Sequence, residues 1–191
     1  YFSVLRIEGD NNDLLIMQRG SAGADIRFPE APDVTDSNHI IVAIIDTGVD
    51  RDHPELGGRI WTNTDEVPGN GFDDDHNGYV DDIWGWDFSA NESSIPIFSD
   101  NDPSDTYGHG THCAGIVAAT ADNSMGIAGI ANNADVMALK IYPTMSVSLA
   151  AQAIIYAADN GADVINMSWG MVFESLLLRD ALLYAREKGV V

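Results

Sequence analysis

The sequence predicts an α/β protein: a mostly parallel sheet between two layers of helices. Three observations predict it. Residues 40 to 45 (IIVAII) form an unbroken apolar, β-branched run, and the segments 134 to 141 (ADVMALKI) and 162 to 168 (ADVINMS) read as two further strands. Segments with helical character separate these runs. A strand buried on both faces reads as a continuous apolar stretch, and strands alternating with covering helices build a parallel sheet through right-handed crossovers.

The elements follow in order. VLRI and LLIM flank Gly9-Asp10-Asn11-Asn12-Asp13, a hairpin signal, so residues 1 to 20 are expected to form a lead-in. It is either the end of a preceding segment or an edge ornament. Residues 21 to 191 would form the main domain. A loop rich in Pro, Asp and Ser leads into the first core strand, which stops at Asp46-Thr47-Gly48. Residues 57 to 108 are rich in Gly, Asp, Asn and aromatic residues without sustained periodicity. A connection of that length needs a function or an internal fastener. The small residues of THCAGIVAAT, after His109, suit a tightly packed helix, and the turn-rich DNSMGIAGI leads to the second core strand. SLAAQAIIYAADNG, at 148 to 161, reads as a helix closed by Gly161. A last helix is expected from about Glu174 to Lys188, with Gly189 as its cap and Val190-Val191 opening another strand.

At 191 residues and 45% apolar content the chain can build one core. Asp plus Glu number 30 against 9 Lys plus Arg, for a formal charge of -21, a field that repels nucleic acid and anionic membrane surfaces and attracts cations. The acid is concentrated: no Lys or Arg stands between Arg59 and Lys140. Bound metal would compensate it; a solvated acidic surface suited to high salt is the alternative. The single cysteine, Cys113, excludes an intrachain disulfide framework. No run reaches the 18 or so apolar residues of a membrane span, so no membrane insertion is expected. The start YFSVLRIEGD lacks the basic flank and long apolar run of a signal peptide, and the chain reads as an excerpt of a longer one.

Asp46 leaves the first core strand where ligands gather in open α/β sheets, although an Asp before Thr-Gly also serves as a turn or cap residue. His109 stands in GHGTHCAG, among glycines that allow close backbone approach; capping and metal binding are its alternatives. His112, three residues on, invites comparison with a zinc pair, but no third ligand at a suitable spacing accompanies it. A packed, hydrogen-bonded core role is expected for His112.

In the order IIDTGVDRDHPEL, YGHGTHCAG and VINMSWG, these motifs resemble the subtilisin-like serine proteases, the subtilases, along most of residues 40 to 170. The resemblance implies a truncated subtilisin-like three-layer α/β/α sandwich and serine endopeptidase activity, with Asp46 as triad aspartate and His109 as general base. It implies that Ser168, Trp169 and Gly170 border the substrate groove, that Cys113 packs beneath the histidine, and that His53 is structural. The rapid passage after Lys140 through Ile141-Tyr142-Pro143-Thr144-Met145 departs from the family's longer glycine-rich loop, and shortens one groove wall. The oxyanion-hole asparagine and a GTSMA-type serine motif would follow Val191; neither Ser168 nor Ser175 has that context, so the chain alone is expected to be inactive.

Calcium is the expected cofactor. In GNGFDDDHNGYVDDIWGWDF, Asp73, Asp75 and Asn77 are two apart, Gly78 follows, Tyr79 offers a carbonyl, and Asp81 or Asp82 comes later, as in the first half of an EF-hand loop. Trp84 replaces the bidentate Glu, so this is no EF-hand, but subtilases carry similar inserts. By the same resemblance Asn123, Met125 and Ile127 with Glu55 form a second site. Protein or peptide substrates, an inhibitory propeptide and an extracellular or cell-surface location also follow from the resemblance. A non-catalytic subtilase-like module and a calcium-dependent adhesion module are the competing readings; the second leaves HGTH unexplained.

Overall fold

A computed structural model describes residues 3–5, 15–17, 39–89, 99–131 and 133–191. Strands β1 (Ser3–Leu5) and β2 (Leu15–Met17) pair antiparallel with Ser3 opposite Met17, as the hairpin signal implies. The main sheet has four parallel strands: β3 (Ile40–Asp46), β4 (Gly85–Asp87), β5 (Ala134–Lys140) and β6 (Val164–Asn166). They lie in the order β4-β5-β3-β6, so β3 is central and pairs along its whole length with β5, Ile40 opposite Ala134 through to Asp46 opposite Lys140.

Helix α1 (His109–Ala118) covers one face, and α2 (Val147–Asp159) and α3 (Leu176–Glu187) cover the other. The side-chain period of two divides each central strand between the layers. Val42 and Ile44 of β3 join Val136 and Ala138 of β5 against Ala114 and Ala118 of α1. Ala43, Ile45, Met137 and Leu139 point oppositely, onto Ile154, Tyr156 and Ala157 of α2 and Ala181 and Ala185 of α3. Each fully buried branched side chain contributes about 1.5–3 kcal/mol, and small residues on the helices let them lie close to the sheet.

Ser146 and Ser175 cap α2 and α3 by accepting from Leu149 N and Leu178 N, both at 3.3 Å. Gly161 and Gly189 follow with φ of 80° and 92°, as expected of closing glycines. The third core strand is shorter than the apolar run, 164–166 rather than 162–168. Val191 runs beside it, accepting from Ile165 N at 2.8 Å and donating to Asp163 O at 3.0 Å, although no strand is formed at Val190-Val191.

The long connection contains its fasteners. Trp61 N donates to Val136 O, Asn63 N to Ile83 O, and β4 adds to the outer side of β5. Of this connection, residues 90–98 lie outside the described residues, as does 21–38 of the expected main domain.

Candidate active site

Asp46 is the last residue of β3, only 3% exposed, and its Oδ1 accepts from Thr47 N at 2.7 Å. α1 begins at His109 and its first turn presses on the exit of that strand. Thr47 Oγ1 accepts from Gly110 N at 2.8 Å, and Thr111 Oγ1 accepts from Asp50 N at 2.9 Å. A side chain at position 110 would meet Gly48 O at 2.2 Å, so only glycine allows this approach. The result is a hydrogen bond of 2.7 Å between His109 Nδ1 and Asp46 Oδ1. A carboxylate can only accept, so Nδ1 carries the proton and Nε2 is left as an acceptor. The imidazole side chain is 45% exposed, while its carboxylate partner is shut away. Asp46 Oδ2 is buried without a partner among the described residues.

Asp105 holds the start of α1. Its Oδ1 accepts from Tyr107 N and Gly108 N, each at 2.9 Å, and its Oδ2 from Thr111 N and the Thr111 hydroxyl. Burial works to raise the pKa of this carboxyl, but the bonds from Thr111, Gly108 and Tyr107 outweigh it and hold Asp105 below the ordinary carboxylate range. Cys113, half-buried one turn into the helix, places Sγ 4.0 Å from His109 Nδ1, in keeping with packing beneath the ring. His112 corrects an expectation: it is exposed, because a position three residues after His109 turns toward solvent when the helix buries Gly110, Ala114 and Ala118.

On the β6 side of Asp46, Ser168 and Gly170 are exposed and Trp169 is half-buried. The Trp169 indole donates to Ile45 O at 2.7 Å, one residue before Asp46, which ties this segment to the end of β3. His53 is structural, its Nδ1 accepting from Glu55 N at 3.2 Å to cap the 3-10 turn Pro54–Leu56.

Within the acidic loop, Glu66, Asp73 and Asp75 offer carboxylate oxygens within 4.8 Å of one another. Backbone amides support them: Asp73 accepts from Asn77 N and Gly78 N, and Glu66 from the amides of Asp74, Asp75 and Asp81. Three converging hard oxygen donors, with no Lys or Arg in the surrounding sequence, fit calcium by charge and ligand type. The other expected ligands also make contacts within the fold. Asn77 donates to Asp75 and Asp82, Asp81 accepts from Asn70 N and Gly71 N, and the Tyr79 ring packs edge-on against Trp86 and Tyr156. Asp82, fully buried, accepts from Asn63, Asn77 and the Tyr156 hydroxyl. Burial, and then the Asp82 charge, push the Tyr156 pKa far up, so this hydroxyl remains a donor and joins the loop to α2. In the second expected site, Glu55 accepts from Asn123 Nδ2 and Ile127 N, each at 2.9 Å, and Met125 N donates to Asn123 Oδ1.

Comparison with known proteins matches residues 37–189 to a family model described as the subtilase family. The chain belongs to the subtilase family. It is 34% identical over 183 residues to thermitase of Thermoactinomyces vulgaris, covering 94% of this chain and 55% of thermitase. It is 39% identical over 153 residues to the thermophilic serine proteinase of Bacillus sp. (strain AK1), covering 78% of this chain and 31% of that protein. Among solved structures, fervidolysin from Fervidobacterium pennivorans aligns with a TM-score of 0.57 and 31% identity over 80% of this chain and 20% of that one. Sphericase aligns at 0.59 and 30%, over 80% and 44%. The chain thus spans about half the length of thermitase and less of the others. The subtilase fold class read from the motifs is the one observed. Two residues escaped the sequence reading: Asp105, whose signal was an acid placed before a helix start, and Glu66, which stands outside the alternating Asp pattern.

Proposed function

We propose that residues 1–191 carry the acid–base half of a serine endopeptidase. The observation that carries this is the 2.7 Å bond from the protonated Nδ1 of half-exposed His109 to buried Asp46. With Nδ1 so engaged, Nε2 takes the proton of an attacking serine hydroxyl and returns it to the leaving amine. Asp46 fixes the tautomer and stabilises the imidazolium without itself becoming protonated. The serine would come from sequence outside these residues, none of whose serines stands in a GTSMA-type motif. The backbone at Ser168-Trp169-Gly170, held by the indole bond to Ile45, would pair with an extended peptide, a mode that reads the main chain and admits many sequences.

Calcium would be held by Glu66, Asp73 and Asp75, where it would neutralise converging carboxylates. Its role there is to stabilise the fold. An extracellular or cell-surface location and an inhibitory propeptide accompany this reading through family membership. Among the described residues no helix is long and apolar enough to cross a membrane.

The test is made on the full-length protein with a fluorophosphonate probe. One serine beyond residue 191 should be labelled, and His109→Ala should lower kcat by about 10⁶-fold while leaving the circular dichroism spectrum unchanged. A folded full-length protein that neither cleaves denatured casein nor takes up the probe would instead be the non-catalytic module.

A further inference from the structure

Glu55 is an acid that the resemblance to subtilases places at a second calcium site and that the catalytic reading does not use. It sits in the 3-10 turn after β3, is 7% exposed, and carries the loop that follows α1. Its carbonyl accepts from Thr120 N at 2.8 Å and the Thr120 hydroxyl at 3.1 Å. Its side chain reaches into the loop itself, where Oε1 accepts from Asn123 Nδ2 and Oε2 from Ile127 N. We propose that the Glu55 carboxylate occupies the interior of the 120–127 loop as a built-in anion, closing it without a divalent cation.

Three features point this way. Loops that bind calcium turn oxygens inward. Here Ile127 presents its N–H to the centre, and Asn123 presents its NH₂. The Asn123 orientation is fixed from both ends, because Oδ1 accepts from Met125 N at 2.8 Å. Rotating the amide by half a turn would set oxygen against carboxylate and NH₂ against N–H. The carboxylate is also packed on the loop backbone. Gly126 has φ of +45°, and a Cβ there would lie 2.4 Å from Glu55 Oε2, so the carboxylate packs on the loop backbone at a position open only to glycine. An aspartate would end one methylene short of this position, so the length of the side chain matters as well as its charge.

Amide exchange in the full-length protein, read by mass spectrometry on peptides covering 121–130, tests the proposal independently of activity and of the acidic loop. Protection at Ile127 should be equal in EDTA and in millimolar calcium. Glu55→Gln keeps the length but sets an NH₂ group against donors, and should lower that protection roughly tenfold in both buffers. Protection that arises only with calcium, or that survives Glu55→Gln unchanged, overturns the proposal. Because neither readout involves turnover, an inactive full-length protein would leave this result standing.

Discussion

At the start of α1 the Asp105 carboxylate accepts from two preceding amides and from both donors of Thr111, and so sets the angle at which His109 meets Asp46. Since its folded pKa is depressed, its stabilisation is present above the unfolded value of about 3.9 and is lost as pH falls through the lower folded value. Asp105→Ala should therefore cost about 1 kcal/mol at pH 7, and the gap from wild type should begin to narrow below about pH 4 and close as the pH falls past the lower folded value. Urea titrations at pH 7 and pH 3 measure both; a gap that stays constant refutes it. Asp46 and His109 stood out in sequence at an apolar run that stops and a helix that begins, but the pattern also fitted turn, cap or metal roles, and only the resemblance of the ordered motifs to the subtilases implied their catalytic ones. His112 was misread because its spacing from His109 says that the two share a face but not whether that face meets the core.

At the level of elements, α1 and β3 are joined by contact rather than by a covering layer of large side chains. Gly110→Ala would drive a methyl into Gly48 O and lift the first turn. Overpacking of this kind costs about 1–3 kcal/mol. The expected outcome is a fall in kcat with KM near wild type, together with loss of the downfield Nδ1 proton of His109 in NMR spectra. Gly115→Ala is the control, with nothing within 4 Å of the added methyl; it should be stable or slightly stabilised, by up to about 1 kcal/mol. β3, β5 and all three helices were legible because their apolar runs or caps are strong. β4 was not, since Gly-Trp-Asp has no run to read and its strand character comes only from pairing with β5.

For the whole molecule, the charge of -21 makes cation binding a global matter. Calcium at a hundred times its dissociation constant stabilises a folded chain by about 2.7 kcal/mol, which is several degrees in Tm. Melting the full-length protein in EDTA and in millimolar calcium should show that difference, and Asp73→Asn with Asp75→Asn should erase it. Equal Tm values in both buffers would leave the acidic loop held by its hydrogen bonds alone.

The sheet order also has a consequence in time. Among the described strands of the main sheet β3 is made first, yet it lies between β5 and β6, and the first of these neighbours emerges only about 90 residues later. At roughly 5–20 residues per second, a ribosome leaves IIVAII without a partner for roughly 5 to 20 s. During that interval the most apolar segment of the future core is a nascent, unpaired strand, and what shields it then decides how much of each newly synthesised chain escapes aggregation.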